Sequence, residues 1–103
     1  MRRGEIWWAN LGPPAGKRPV LLLSREEAYA VRAAITVAPL TRTARGIPVE
    51  VPLDVKDGLP KPCVINLDSI ITIPKRFLES RIASLSDDKL RLVGEAICFA
   101  LDL

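Results

Sequence analysis

Apolar runs of strand length alternate with short segments rich in proline and glycine along most of this chain. Glu5–Ala9 includes two adjacent tryptophans, whose side chains would point to opposite faces of a strand. Asn10–Gly16 holds two prolines and two glycines and is therefore predicted to be a loop. The run over residues 19–24 opens with Pro19 and continues with four apolar residues, which predicts a strand buried on both faces.

Prolines interrupt the apolar runs in the middle of the chain. Ala33–Ala38 is predicted to be a strand that Pro39 stops. Ile47–Leu53 alternates apolar and polar residues but contains two prolines, which predicts an edge strand. A turn centred on an Asp-Gly pair covers residues 54–61, and residues 62–73 form either a strand pair or one long bent strand.

Short helical segments are predicted from capping signals. Ser24 and Glu27 have the spacing of a capping box, so a short helix is expected to start at Ser24. Pro74 is suited to the first position of a helical turn that extends to residue 78. Residues 81–85 then predict a short last strand.

The C-terminal segment is predicted to be a helix that starts after Ser86. The serine is a favourable N-cap, and Asp87 and Asp88 suit the positive end of the helix dipole. Two apolar stripes run along it at helical spacing, the first made of Leu90, Val93, Ile97 and Leu101 and the second of Leu92, Ala96, Phe99 and Leu103. Because a helix that is apolar on two sides buries both, we expect the sheet to cover one stripe and a second copy of the chain the other.

These elements together predict an α+β fold that is mainly β. The strands would form a small, strongly twisted antiparallel sheet closed on itself, with short helices and the C-terminal helix appended. A length of 103 residues, without internal repeat or linker, fits one domain over 1–103.

The distribution of charge indicates a polyanionic partner. Residues 1–46 hold eight Lys or Arg against three Glu, a net charge of +5, whereas residues 47–103 hold seven against nine acids, a net charge of −2. No apolar run is long enough to span a membrane, and the N-terminus does not have the pattern of a signal peptide. Two isolated cysteines, Cys63 and Cys98, fit a reduced cytoplasmic protein.

The residue types that are missing exclude several kinds of chemistry. Without histidine, the chain has neither the acid–base pair of many metal-free ribonucleases nor the usual ligands of a zinc site. Ser24 and Ser69 lack a histidine base, which disfavours a serine hydrolase, and no glycine-rich phosphate loop opens a helix. No metal or other cofactor is therefore expected.

Polar residues at predicted strand ends and loops remain as candidates for chemistry. They are Lys17, Arg18, Thr41, Arg42, Thr43, Arg45, Asn66, Asp68 and Ser69. Guanidinium groups bind phosphate and stabilise charge on its oxygens, whereas hydroxyl and amide groups contact phosphate oxygens or base edges. Together with a carboxylate that accepts the proton of a ribose 2′-hydroxyl, they predict metal-free RNA cleavage. Each residue also has an ordinary surface role available to it.

Four segments, in order, resemble the MazF/PemK (Kid) family of toxin endoribonucleases. They are Met1–Trp7, Arg18–Ser24, Ile35–Thr41 and Asn66–Ile73. The resemblance implies an SH3-like barrel that forms a homodimer and cleaves single-stranded RNA at short sequences without a metal. It also implies products with 2′,3′-cyclic phosphate and 5′-hydroxyl ends, a MazE-like antitoxin with an acidic disordered tail, and operator DNA bound only through the antitoxin complex.

The resemblance assigns roles to individual residues. Arg18 matches the catalytic arginine, Thr41 the hydroxyl residue at the scissile phosphate, and Asp68 a carboxylate used for base recognition or proton transfer. Arg42, Thr43 and Arg45 lie where the family contacts RNA; the list of RNA-binding candidates is completed by Lys17, Asn66 and Ser69. Because arginine stays protonated, Arg18 is expected to stabilise charge and donate a proton, while Asp68 or a water acts as base.

Three departures from the family pattern concern the same site. Lys17 stands where some relatives carry histidine, and the short loop before Arg18 lacks the glutamate of several relatives. Asn66 stands where one branch carries a catalytic arginine, so that role is not transferred. Two alternatives remain open at this point, namely a non-catalytic gyrase poison of the CcdB type, which shares the barrel, and a passive single-strand-binding barrel.

Overall fold

A twisted seven-stranded antiparallel sheet organises the computed structural model, which describes all residues from Met1 to Leu103. The strands are β1 (Glu5–Asn10), β2 (Lys17–Leu22), β3 (Ala34–Thr41), β4 (Glu50–Leu53), β5 (Cys63–Asn66), β6 (Ile71–Pro74) and β7 (Leu78–Ser84). The helices are α1 (Ala28–Val31) and α2 (Asp87–Leu101), and single 3-10 turns cover Val55–Asp57, Leu67–Ser69 and Lys75–Phe77. The predicted class, mainly β with short helices and a C-terminal helix, is confirmed.

Strand β3 is the centre of the sheet, whose order is β4-β5-β3-β2-β1-β7 with β6 also paired to β3. One edge of β3 pairs with β2. Its other edge pairs with β6 over Ala34–Val37 and with β5 at Leu40 and Thr41. Residues 62–73 therefore form two strands that share β3 as their partner, separated by the turn at Leu67–Ser69.

The two faces of the sheet bury separate apolar clusters. The larger cluster includes Ile6 and Leu21 and receives Val93 from α2. The smaller cluster lies on the other face and includes Val20 and Leu22. Because consecutive residues of β2 enter different clusters, the strand is buried on both faces, as its continuous apolar run predicts.

The adjacent tryptophans of β1 point to opposite faces, as predicted. Trp7 packs against the smaller cluster, and its indole Nε1 donates to Glu5 Oε1 at 3.0 Å. Trp8 pairs with Pro19 across β1 and β2 and remains 38% exposed.

The prediction that Pro39 stops the third strand was wrong, since β3 continues to Thr41. Pro39 pairs with Val20 on one side, but on the other side it lies in the interval between the residues paired with β6 and those paired with β5. Proline has no backbone N–H. At Pro39 the missing N–H would face this unpaired interval, so no hydrogen bond of the sheet is lost and the strand tolerates the proline.

The capping box predicted at Ser24 was also wrong. Ser24 Oγ accepts a hydrogen bond from the backbone N–H of Thr36 at 2.8 Å, and α1 starts later, at Ala28. The chain still runs beside β3 at this point, because the N–H of Leu23 donates to Thr36 O at 2.9 Å. The hydroxyl therefore satisfies a strand backbone rather than a helix end.

Several boundaries differ from those predicted. β2 begins at Lys17 rather than at residue 19, and β7 is longer than residues 81–85. β4 is an edge strand as predicted but begins only at Glu50, after Pro48. The turn after Pro74 is confirmed.

Helix α2 begins as predicted and is tied to the edge of the sheet. Ser86 Oγ accepts from the N–H of Lys89 at 3.3 Å, and Lys89 Nζ donates to Pro52 O at 2.8 Å. The loop after β4 approaches β7 at Gly58, where a Cβ would lie 2.9 Å from the Cβ of Ala83. Gly58 has φ +95°, so glycine is required both for the turn and for this contact between the two ends of the sheet. None of the helices combines the length and apolar character that a membrane span requires.

Candidate active site

Arg18 and Thr41 lie on one face of the sheet at neighbouring strand ends. The β2–β3 ladder ends at the pair Val20 and Pro39; Arg18 lies two residues before Val20, and Thr41 lies two residues after Pro39. Residues two apart along a strand share a face, so both side chains emerge on the face that carries Val20. The β2–β3 ladder ends at Val20, which leaves the two side chains at the open end of the pair.

The polar atoms of both side chains remain available. Arg18 is exposed, its Nε donates to Ala15 O at 3.3 Å, and no carboxylate forms an ion pair with it. Thr41 is half-buried, and its Oγ1 accepts from the N–H of Thr43 at 3.3 Å, which leaves the hydroxyl proton free. A fixed guanidinium beside a hydroxyl donor can bind the oxygens of one phosphodiester.

Asn66 extends the same face into β5. Thr41 pairs with Val64, and Asn66 lies two residues further along β5. Its side chain already holds the next turn, because Oδ1 accepts from the N–H of Asp68 at 2.9 Å and Nδ2 donates to Ser69 Oγ at 3.2 Å. Asn66 therefore has a structural role in addition to the RNA contact predicted for it.

Asp68 lies on that turn, with an exposed carboxylate. No hydrogen bond or ion pair joins this side chain to Arg18 or Thr41. Its role as base stays a prediction.

Glu50 is a residue of this face that the sequence analysis missed. It pairs with Asn66 across β4 and β5, and its Oε1 accepts from the backbone N–H groups of Arg45 at 2.8 Å and Gly46 at 3.0 Å. This carboxylate holds the loop of residues 42–49, which carries Arg42, Thr43 and Arg45. The alternation of apolar and polar residues in β4 could have indicated that the Glu50 carboxylate points away from the core. It could not have indicated which backbone N–H groups the carboxylate binds.

Three of the predicted site residues, Lys17, Thr41 and Arg42, are brought together by one cavity. Lys17 and Arg42 line a cavity of about 240 Å³ at the ends of β2 and β3, which Thr41 also borders. Lys17 Nζ pairs with Glu79 Oε1 at 3.1 Å. The cavity also contains Lys61 and Trp8, which the sequence analysis did not propose as site residues.

A cysteine thiol, that of Cys63, borders the cavity. Burial raises the pKa of the Cys63 thiol in this cavity and Asp57 raises it further, while Arg42 lowers it. Cysteine and carboxylate side chains nowhere form a group of three or more that could hold a metal ion. The arrangement provides cations, a hydroxyl and exposed carboxylates, which suits the binding and polarisation of a phosphodiester.

Comparison with known proteins agrees with the resemblance drawn from the four sequence segments. The sequence profile of the family described as "PemK-like, MazF-like toxin of type II toxin-antitoxin system" matches residues 2–101. The chain is 43% identical over 91 residues, 87% of each chain, to the probable endoribonuclease MazF2 of Mycobacterium tuberculosis. It is 38% identical over 102 residues to the probable endoribonuclease MazF5 of the same species, covering 98% of this chain and 89% of that protein.

Solved structures are similar over nearly the whole chain. The M. tuberculosis toxin MazF-mt6 superposes with a TM-score of 0.89 at 39% identity, covering 96% of this chain and 97% of that one. A mycobacterial endoribonuclease in complex with its cognate antitoxin gives a TM-score of 0.89 at 27% identity, covering 100% and 96%. The chain therefore belongs to the PemK-like, MazF-like toxin family of type II toxin–antitoxin systems.

Proposed function

We propose that this protein is a toxin endoribonuclease that cleaves single-stranded RNA at short sequences and is neutralised by a cognate antitoxin. The observation that supports this proposal is that Arg18 and Thr41 both lie just past the end of the β2–β3 ladder, two residues beyond the paired Val20 and Pro39. The relatives named as endoribonucleases support the reaction class, and the toxin solved with its cognate antitoxin supports the partnership.

The substrate itself supplies the nucleophile in the proposed reaction. The ribose 2′-oxygen attacks the adjacent phosphorus while its proton passes to Asp68 or to a water. The bond from phosphorus to the 5′-oxygen breaks, and that oxygen takes a proton from Arg18 or from water. The products are a 2′,3′-cyclic phosphate and a 5′-hydroxyl, and no metal or other cofactor takes part.

Arg18 and Thr41 act on the phosphate rather than on the nucleophile. The Arg18 guanidinium stabilises the charge that builds on the non-bridging oxygens, because its η nitrogens have no protein partner. Thr41 donates its hydroxyl proton to one of these oxygens and so orients the phosphate. Arg42, Thr43 and Arg45 on the loop, together with Lys17, Asn66 and Ser69, contact the flanking RNA.

Incubation of the purified protein with a long RNA in excess EDTA tests this function. We expect discrete fragments whose 3′ ends resist polyadenylation until the cyclic phosphate is removed and whose 5′ ends accept phosphate from a kinase directly. RNA that stays intact, or fragments with 5′-phosphate ends, would contradict the proposal.

A CcdB-like gyrase poison is not favoured by the relatives, which are named as endoribonucleases. The same incubation separates these functions, because a gyrase poison leaves RNA intact and inhibits DNA supercoiling. A passive single-strand-binding barrel would bind RNA in a salt-sensitive way without cutting it.

The remaining partners follow from the same assignment. We propose that one domain, residues 1–103, forms a cytoplasmic homodimer, and that the antitoxin is MazE-like with an acidic disordered tail that covers the basic RNA site. Operator DNA is contacted only through the antitoxin complex. The RNA cut in the cell is messenger, ribosomal or transfer RNA, and mapping the 5′ ends of cleaved total RNA identifies it.

A further inference from the structure

The last residue pair of the β4–β5 ladder lies where two of the segments proposed to contact RNA leave the sheet. Glu50, the first residue of β4, pairs with Asn66, the last residue of β5. The loop of residues 42–49 ends at Glu50, and the turn Leu67–Ser69 starts directly after Asn66. Opposite residues of an antiparallel pair have Cβ atoms about 4.5–5.5 Å apart on one face, so the two side chains lie side by side at the base of both segments.

Asn66 holds the turn that follows it through both ends of its amide group. Its Oδ1 accepts from the backbone N–H of Asp68 at 2.9 Å, which caps the turn, and its Nδ2 donates to Ser69 Oγ at 3.2 Å. No other side chain forms a hydrogen bond with residues 67–69. Asn66 therefore does for this turn what Glu50 does for the preceding loop, where its carboxylate accepts from two backbone N–H groups.

The base of the turn is fixed in the core, whereas Asp68 points away from it. Leu67 is 1% exposed, and its N–H donates to Val49 O at 2.9 Å. The Asp68 side chain is exposed and forms no hydrogen bond or ion pair. The direction of its carboxylate therefore depends on the backbone of residue 68, whose N–H is held by Asn66.

The position of this carboxylate matters because of the role proposed for it. A general base acts when it lies within hydrogen-bond distance, about 2.6–3.2 Å, of the group whose proton it takes. A displacement of about 1 Å can lower the rate of a reaction by about 10²-fold. A side chain that fixes the backbone of a general base therefore changes the rate of the chemical step without touching the reacting atoms.

We propose that Asn66 is a positioning residue that acts on cleavage through Asp68. By capping the turn Leu67–Ser69, it keeps the Asp68 carboxylate within reach of the ribose 2′-hydroxyl. This inference rests on the proposed nuclease function and adds the residue that positions its general base. It goes beyond the RNA contact proposed for Asn66, because loss of a contact with flanking RNA raises KM, whereas a displaced base lowers kcat.

Asn66→Ala tests the proposal by a comparison of kcat with KM. We expect kcat for RNA cleavage to fall about tenfold, because the acceptor that holds the Asp68 N–H is removed. Hydrogen exchange of the Asp68 amide should become about tenfold faster for the same reason. Asn66→Ser should restore most of both, since a serine at this position accepts from the same N–H. If Asn66→Ala does not fold, Asn66→Gly is measured with the same expectation, and an unchanged kcat overturns the proposal.

Asp54 provides a matched control at another turn. It caps the turn Val55–Asp57 in the same way, since its Oδ1 accepts from the N–H of Lys56 at 2.8 Å. Asp54→Ala should make hydrogen exchange of the Lys56 amide about tenfold faster and leave kcat unchanged. A fall in kcat as large as that in Asn66→Ala would show that loss of any capped turn lowers activity, and it would overturn the proposal.

A double-mutant cycle tests whether Asn66 acts through Asp68. Asp68→Asn removes the base and keeps the size of the side chain, so the single-turnover rate should fall about 10²-fold or more. In this background Asn66→Ala should change the rate less than about twofold, because no base remains to be displaced. Additive losses overturn the proposal, and so does cleavage by Asp68→Asn at the unmodified rate. An unmodified protein that cleaves no RNA contradicts the nuclease function instead.

Discussion

Glu5 shows how one residue ties the N-terminus to two strands of the sheet. It is the only charged residue in the buried set. Its Oε1 accepts from the backbone N–H of Arg2 at 2.9 Å and from Trp7 Nε1 at 3.0 Å, and its Oε2 accepts from Arg81 Nη1 at 3.3 Å. Burial raises the pKa of this carboxyl, but the hydrogen bonds from Trp7, Arg2 and Arg81 outweigh burial and lower the pKa below 4.5.

Glu5→Gln is predicted to reduce the free energy of unfolding at pH 7 by about 1–2 kcal/mol, since a charge-assisted network is lost while the shape of the side chain is kept. The pKa of Glu5 is lower in the folded state, so its stabilisation is complete above pH 4.5 and is lost as the pH falls through the folded pKa. The difference between the variant and the unmodified protein in urea unfolding should therefore shrink below pH 4.5. A difference that grows on acidification would contradict this assignment; Glu26→Gln, at an exposed position without an ion pair, is the control.

At the scale of elements, the loop between β3 and β4 depends on one carboxylate. Glu50 Oε1 accepts from two consecutive N–H groups of this loop, at Arg45 and Gly46. The loop carries three of the residues proposed to contact RNA, and its other residues up to Pro48 are exposed. Glu50 is thus a positioning residue that acts through the loop backbone.

Glu50→Ala is predicted to raise the hydrogen-exchange rates of the Arg45 and Gly46 amides about tenfold or more, because the acceptor of both is removed. KM for RNA should rise severalfold while kcat changes less, since the loop contacts flanking RNA rather than the reacting atoms. Glu50→Gln keeps an acceptor oxygen and should recover most of both effects. Unchanged amide exchange in Glu50→Ala would show that the loop is held by other contacts.

The elements also show which features follow from sequence and which do not. The strand buried on both faces and the cap at Ser86 depend on local pattern, so both were predictable. Ser24 and Pro39 were misassigned because their roles depend on contacts with other strands. The Ser24 hydroxyl binds the backbone of Thr36 in β3, and Pro39 lies where neither β5 nor β6 pairs with β3. Arg18 and Thr41 could be named from the sequence, but the opposite orientation of Lys17 follows only from the strand register.

At the scale of the whole molecule, the sheet covers only part of the apolar surface of α2. Val93 and Ala96 are buried against the larger cluster, whereas Leu92, Phe99 and Leu101 are 41%, 62% and 57% exposed. Leu92 and Phe99 border a groove of about 370 Å³ between α2 and the edge strand β4. Contiguous exposed apolar surface of this kind is typical of a subunit interface.

Phe99→Glu is predicted to shift a homodimer towards monomer by at least about tenfold in the dissociation constant, because a charge would be placed in an apolar contact. Sedimentation equilibrium over a range of concentrations measures this, with Val55→Glu as a control at an exposed apolar residue outside α2. An unmodified protein that remains monomeric at high concentration would exclude the dimer.

In the proposed reaction, one guanidinium and one hydroxyl act on the same phosphodiester. The most direct measurement is the single-turnover rate of RNA cleavage by Arg18→Ala and by Thr41→Ala, compared with Arg25→Ala, an exposed arginine whose only ion pair is with Glu27 at 4.0 Å. We predict that each of the first two substitutions lowers the rate by ~10²-fold or more, while Arg25→Ala cleaves at the unmodified rate. Near-normal cleavage by both Arg18→Ala and Thr41→Ala would contradict the proposed active site.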